Sequence, residues 1–511
     1  MASKSCCCQG FSIAGIVLGV IFTIIGIFLL IRSDSIFYNQ LESKMPLDPF
    51  SEQLDTFKKP PANLHLNFYF FNLTNPNDVI NHGEKPVFKE IGPYSYRIDR
   101  HKENVFFNDN GDRVWFEQRM WYYFDREKSV GSDMDTFTNL DLVAYKVTKT
   151  AYDAGTSLFL LKTLVRMHRD KPFTTHTINE FLFGADDKLI KKASKMAGVS
   201  LPHYKFGLFI DKLTGESKNA TVVENYTLHT GKEDINQYQM VLKYDDQSSF
   251  NGIWPQADTS KDYNQFHGRF GSSFGPNVDT NEKLEAFSSD TCSFLQYDFA
   301  ANTVRDGFDA YRFNLDLNEW RDSTGKLNKA MCDEEARDDP ATCAQEGIFN
   351  MTTCKGAALM MSLPHFYSAD PAYLDMVEGL KPDAEKHGSH LEVDPLTGTV
   401  LYIARRIQIN VGLHKMDFPK YSDLPDYTLM PITWLEVEGG VNQQGLDSLQ
   451  TMVHDKYEML GNASYIALGV GVVVLLVSII GLVIGKKKCG SSSNRADGYG
   501  NSGPEMAPLR T

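Results

Sequence analysis

The stretch IALGVGVVVLLVSIIGLVI, from Ile466 to Ile484, decides how the rest of the chain is read. Its nineteen residues carry no charge, and Lys486, Lys487 and Lys488 follow at once. A helix needs roughly 20 apolar residues to cross a bilayer core. A soluble core helix would carry polar residues along one edge, and this stretch has only one serine. The lysine triplet marks the cytosolic end, because positive flanks stay inside. We therefore expect a membrane helix over 465–485 and a cytosolic tail over 486–511.

A second uncharged run, Phe11 to Ile31, lies between Lys4 and Arg32. It is longer than a signal-peptide apolar region and ends without a small-residue cleavage site, so it reads as an uncleaved anchor. Two anchors, 11–31 and 465–485, put residues 1–10 and 486–511 in the cytosol. Residues 32–464 then form a lumenal or extracellular ectodomain. The chain is an expected two-pass membrane protein with both termini cytosolic. Its net charge of -14 argues against nucleic acid as a partner.

The topology sorts the cysteines. Cys292, Cys332, Cys343 and Cys354 fall in the oxidising compartment, where an even count implies two disulfides and spacing leaves three pairings open. Cys6, Cys7, Cys8 and Cys489 flank the anchors on the cytosolic side and are candidates for palmitoylation. Sequons at Asn72, Asn219, Asn225 and Asn350 are candidate glycosylation sites; a fifth, at Asn462, sits too close to the membrane.

Within the ectodomain, Leu64, Leu66, Phe68 and Phe70 alternate with His65, Asn67 and Tyr69, the period of a strand. Tyr94 to Ile98 reads as another strand, and Asn108-Asp109-Asn110-Gly111 as a hairpin turn before Val114-Trp115-Phe116. Residues 155–198 change to helical spacing, with Leu158, Leu161 and Val165 in register. Thr177 and Glu180 make a capping box, and Asp186-Asp187 open a helix carrying Leu189, Ile190, Ala193 and Met196 inward. Leu401, Ile403, Ile407, Ile409 and Val411 share one strand face with Arg405, which must therefore find a partner or an edge. Glycines at Gly15 and Gly19, and at Gly481 and Gly485, allow close packing of the anchors on each other or on copies in a homo-oligomer.

No catalytic constellation, cofactor site or metal site emerges. Gly271-Ser272-Ser273-Phe274-Gly275 matches a hydrolase motif, but Gly268 and Pro276 place it in a loop rather than between strand and helix. His387 and His390 have no third ligand nearby in sequence. The chain is read as a non-enzyme.

Several motifs are specific. They include Gly92-Pro93-Tyr94-Ser95-Tyr96-Arg97, Ser288-Ser289-Asp290-Thr291-Cys292 and Ser362-Leu363-Pro364-His365-Phe366. Others are Arg406-Ile407-Gln408-Ile409-Asn410 and Pro431-Ile432-Thr433-Trp434-Leu435. Together they resemble the class B scavenger receptor family over nearly the whole chain. Tyr123-Phe124-Asp125-Arg126 and Thr175-His176-Thr177-Ile178-Asn179-Glu180 resemble its lysosomal branch. That resemblance implies an α+β fold: a β-barrel-like ectodomain with an apical helical bundle and an internal tunnel between two membrane helices. It implies the pairings Cys292–Cys354 and Cys332–Cys343. It also implies a receptor that captures lipoprotein or anionic lipid particles at the apex and passes lipid, whether sterol, fatty acid or phospholipid, to the membrane. Arg166, His168, Arg169, Lys171, Lys188, Lys191 and Lys192 are the expected apical ligand-binding residues. The alternative is a sorting receptor that carries a lysosomal hydrolase on the same helices. The tail Glu505 to Thr511 resembles that branch's sorting signal, although Arg510 follows Leu509 where such a signal takes a second aliphatic residue. Both the plasma membrane and the lysosomal membrane remain expected locations.

Overall fold

The computed structural model describes residues 2–51, 53–153, 171–196, 203–209, 222–254, 264–316, 344–355, 359–418 and 420–493. Met1–Lys44 with Asp447–Thr511 form one compact unit, and Met45–Leu446 form the other.

In the first unit, α1 (Ala2–Lys44) packs along α5 (Asp455–Ser493). Both contain stretches long and apolar enough to cross a membrane, within Phe11–Lys44 and Gln443–Lys487. Small residues set the approach. A Cβ on Gly19 would lie 2.8 Å from the Leu475 backbone nitrogen, and one on Gly26 would lie 2.5 Å from that of Leu468. Gly15 faces Ser478, and Gly471 faces the Thr23 backbone. Of the second glycine pair, Gly481 faces Ser12 while Gly485 has open space around it. Beyond the apolar run, α1 continues through polar residues. There Asp34 accepts a hydrogen bond from the Tyr457 hydroxyl at 3.2 Å.

The second unit is organised by one sheet of 13 antiparallel strands. Two short strands, Phe349–Asn350 and Met360–Ser362, lie off its continuous path. In chain order the path contains β1 (Ala62–Leu73), β2 (Phe88–Phe107), β3 (Arg113–Asp125), β4 (Val222–His229) and β5 (Val241–Tyr244). It continues with β6 (Leu284–Ser288), β7 (Ser293–Arg305), β8 (Phe308–Asp316), β9 (His390–Val393), β10 (Val400–His414) and β11 (Tyr427–Val441). Their order in space is β6-β7-β8-β9-β10-β11-β1-β2-β3-β4-β5. The alternation read at Leu64 to Phe70 sits in β1, where Leu66 faces Tyr96 on one side and Val437 on the other. The expected turn at Asn108–Gly111 joins β2 to β3, with the Gly111 N–H donating to the Asn108 carbonyl at 2.9 Å.

The two edges of this sheet meet through one extended segment, Gly268 to Phe270. The Arg269 N–H donates to the Glu285 carbonyl and the Arg269 carbonyl accepts from Phe287, both at 2.9 Å, which pairs the segment with β6. The Val241 N–H donates to the Gly268 carbonyl at 3.2 Å, and the Phe270 N–H to that of Gln239 at 2.9 Å, which pairs it with the β4–β5 hairpin. The result is a nearly closed barrel whose two edges are bridged at this segment.

The stretch 155–198 is not helical throughout. Phe173–Thr177 is a strand paired with Thr136–Leu140, because its run of threonines favours extended backbone. The capping box at Thr177 forms as expected and starts α3 (Ile178–Phe183). Asp187 caps α4 (Lys188–Met196), its carboxylate accepting from Leu189 and Ile190. α4 packs Leu189 against Val143 and Ala144 of α2 (Leu142–Asp153). The helical spacing at Leu158, Leu161 and Val165 lies outside the described residues.

Gly268 tests the seam. Its φ is +87°, and an added Cβ would come within 2.8 Å of Ala286 and Phe287 backbone atoms. Gly307 has φ +89° but nothing within 4 Å of that position. We expect Gly307→Ala to cost about 1 kcal/mol of stability from backbone strain alone. Gly268→Ala should cost about 2–4 kcal/mol, because the seam must also open. Thermal unfolding of the two variants in detergent checks this; equal losses would mean that the seam carries no special weight.

Candidate functional site

The inward face of the barrel follows from register. On β2 it carries Tyr96, Ile98, Arg100 and Lys102; on β3, Phe124, Tyr122, Met120 and Gln118 stand opposite. The other face of these strands carries Arg97, Glu103 and Tyr123, which are exposed. β10 contributes Ile403, Arg405 and Ile407 to the inward side, where Arg405 lies opposite Val437. The partner that Arg405 requires is Asp290, at 2.7 Å.

Asp290 and Arg405 lie deep in the protein. Even so, their side chains keep 46% and 26% of their accessible area. Arg100 and Tyr122 combine the same properties, being deep in the fold and only half-buried. Depth together with accessibility requires a hollow inside the barrel, large enough to admit water. Apolar side chains line much of it: Ile98, Met120, Phe124, Ile403 and Val437 are each only half-buried.

One end of the hollow is charged. Asp290 sits just before Cys292, which forms a disulfide with Cys354 (Cα–Cα 6.0 Å). Lys355, next to that bridge, donates to the Ser289 carbonyl at 3.0 Å. Burial raises the Asp290 pKa, but Arg405 and then Lys355 outweigh it and hold the carboxyl below its ordinary value. Glu224 accepts from the hydroxyls of Tyr226 at 3.0 Å and Tyr244 at 3.3 Å. Its pKa is raised by burial and then by the charge of Asp290. Lys102 donates to the Phe57 carbonyl at 2.8 Å and lies 4.3 Å over the Phe57 ring. Burial, with Arg100 beside it, holds its ammonium pKa well below the ordinary value.

The expected ligand residues fall on a different part of the unit. Lys171 is exposed, and Lys188, Lys191 and Lys192 are exposed along α4. Lys191 reaches over the Tyr204 ring at 5.8 Å. Arg166, His168 and Arg169 lie outside the described residues, as do Cys332, Cys343, Asn219 and the tail 494–511. The side chains of Cys6, Cys7, Cys8 and Cys489 are likewise outside them. Asn72 accepts from the Thr138 N–H at 2.8 Å, and Asn350 accepts from that of Thr352 at 3.0 Å. Asn225 lies half-buried on β4. Ser273 is buried in its loop, where its hydroxyl donates to the Thr397 carbonyl at 3.2 Å.

His387 and His390 do not converge on a common point. The His387 ring stacks on His365 at 4.3 Å, and its Nδ1 accepts from the Asp383 N–H at 2.9 Å. His390 faces Arg312 at 3.3 Å. His365 in turn contacts Glu90, which also accepts from the Trp434 indole at 2.7 Å. The Trp434 ring stacks on Tyr69 at 3.7 Å. The members of this knot are dispersed through the sequence, and no local pattern joins them. Burial, then the neighbouring His365, lowers the His387 pKa to about 4; burial and Arg312 do the same for His390. The folded protein therefore takes up these protons less readily than the unfolded chain. Their contribution to stability is full above the unfolded value of about 6.5 and is lost as pH falls towards about 4. His387→Gln should flatten that decline. The melting temperature between pH 7 and pH 4 checks it, and an unaltered slope would refute the assignment.

The model of the CD36 family matches residues 17–482. Scavenger receptor class B member 1 of Rattus norvegicus is 30% identical over 93% of this chain and 89% of its own length. The protein of the same name from Mus musculus is 29% identical over 92% of this chain and 89% of its own length. Lysosome membrane protein 2 of Homo sapiens is 29% identical over 92% of each chain. By the extent of the match and the architecture, this chain belongs to the CD36 family.

Proposed function

We propose that this protein is a class B scavenger-type receptor that captures lipid-bearing or anionic particles and conducts lipid through its hollow barrel to the membrane. The observation that carries this reading is the half-buried apolar face turned inward, deep in the barrel wall. Such a face gives an acyl chain or sterol an apolar path out of water. Capture is assigned to Lys171, Lys188, Lys191 and Lys192 together with Arg166, His168 and Arg169. Exposed cations on an otherwise acidic protein offer a local attraction for anionic surfaces. The ectodomain, residues 32–464, stands outside the cytosol and both termini lie within it. The relatives' names place such proteins at a lysosomal membrane or describe them as scavenger receptors, and either membrane suits this chain.

Two measurements test the reading separately. Reversing charge at Lys188, Lys191 and Lys192 together should weaken binding to phosphatidylserine vesicles several-fold, with the larger difference at low salt. Unchanged binding would remove this face from capture. With the full chain reconstituted in vesicles, fluorescent fatty acid or sterol should transfer from donor particles faster than in protein-free vesicles; equal rates would remove conduction.

A further inference from the structure

Among the charged groups facing the hollow, one differs from the rest. Asp290 has Arg405, Glu224 has Tyr226 and Tyr244, and Lys102 has the Phe57 carbonyl. Arg100 has neither a hydrogen bond nor an ion pair among the described residues, and its buried Nε is unpartnered. A guanidinium stays charged at any physiological pH and carries five donors in a fixed fork. Arg100 is half-buried, so water in the hollow reaches part of it, but its Nε is enclosed and unpartnered, and a buried donor left without an acceptor is costly. Its ionisable neighbours do not pair with it: Tyr226, Tyr122 and Glu224 favour its charge from a distance, Arg405 opposes it, and Glu224 is already engaged by the Tyr226 and Tyr244 hydroxyls. Lys355 adds a further cation beside Asp290. This end of the hollow is thus short of an anion, and the side chain short of a partner is the one suited to bidentate recognition of carboxylate or phosphate.

The surroundings restrict what that anion can be attached to. Ile98 precedes Arg100 by two residues on the same inward face, with Tyr122 and Met120 opposite on β3. Further along, Tyr96 stands opposite Phe124 and Leu66. A ligand whose head lies at Arg100 would extend its body along an apolar wall. A free inorganic anion would satisfy the guanidinium but leave that wall wet. An amphiphile satisfies both.

We propose that Arg100 is the head-group anchor for an anionic amphiphile, a carboxylate or phosphate lipid, bound inside the barrel with its tail along the Ile98–Phe124 wall. This rests on the lipid-conducting reading and narrows it, since it makes the hollow selective by head-group charge. Sterols and uncharged lipids would pass Arg100 without gaining its hydrogen bonds, whereas anionic lipids would be held there.

The test uses the purified full chain in detergent and four ligands in matched pairs: oleate against oleyl alcohol, and dioleoyl phosphatidate against dioleoylglycerol. The wild-type chain should bind the charged member of at least one pair roughly ten-fold more tightly, as one charge-assisted bidentate contact allows. Preference within the first pair identifies a carboxylate head, and within the second a phosphate head. Arg100→Met should abolish that preference while leaving oleyl alcohol and dioleoylglycerol unchanged. Arg100→Lys should keep part of it, because a point charge replaces the fork, and this variant carries the test if Arg100→Met does not accumulate. No charge preference in the wild type, or a preference that survives Arg100→Met, overturns the anchor but leaves lipid conduction standing. Failure of all four ligands to bind overturns both.

Discussion

The backbone hydrogen bonds of Arg269 hold the barrel together. Through this residue and its two neighbours, β6 and the β4–β5 hairpin, which are the two ends of the sheet, are joined into a wall. Gly268 allows the approach, because its neighbour on β6 is backbone at a distance that no side chain would tolerate. The Arg269 guanidinium strengthens the same seam by donating to the Asn236 carbonyl at 2.8 Å. Closure has a geometric consequence. A barrel of about 8 strands is just filled by its own side chains. Removing the two off-path strands from the 13 leaves 11 around this wall, more than inward side chains fill. The hollow is therefore a property of strand number, and the half-burial of Ile98, Phe124 and Val437 follows from it.

A hollow that admits water changes which charges the wall can carry. In a packed core, Arg405 and Asp290 would face the full cost of leaving water, which a single ion pair seldom repays. Here both keep accessible area, and the disulfide beside Asp290 fixes one partner in place. Lys102 shows the contrasting case. It is 4% exposed and enclosed by Phe57, Phe116 and Phe270, and burial holds its ammonium pKa well below the ordinary value. Arg100 cannot respond to burial by giving up a proton as Lys102 can. Two residues apart on one strand, the two bases therefore differ: the enclosed lysine is held by a carbonyl and three rings, and the half-buried arginine keeps a charge without a partner among the described residues.

Local signals were the legible ones. The capping box at Thr177, the hairpin at Gly111 and the alternation in β1 and β10 each depend on residues a few positions apart. The sequence also demanded a partner for Arg405 but could not name Asp290, which lies 115 residues away and meets it only through the closed barrel. Arg100 and Lys102 were missed for a specific reason. Tyr94 to Ile98 reads as a strand, whereas Asp99 to Glu103 are polar or charged at every position and show no apolar alternation. β2 in fact runs to Phe107, and period 2 carried on from Tyr96 puts both bases on the inward face. Charge on both faces of a strand is the mark of a wall with water on each side.

The motifs that made the family recognisable do mechanical work in the wall. His365 belongs to one motif and Trp434 to another, and both meet at Glu90, just before Gly92-Pro93. The Gln408 side chain of a third motif accepts the His365 N–H. Arg406 of that same motif pairs with Glu436 at 2.7 Å and donates to the Gly388 carbonyl. These contacts fasten loops and neighbouring strands on the outside of the barrel, and none of them faces the hollow. Resemblance through such motifs therefore establishes the scaffold and is silent about cargo. The exposed lysines along α4 and Arg100 on β2 lie outside those motifs, while Asp290 and Ile407, which face the hollow, lie within them. The same motifs thus supply fastening contacts outside the barrel and, through Asp290 and Ile407, part of its inner wall, so a match to them fixes the wall without naming what lies against it.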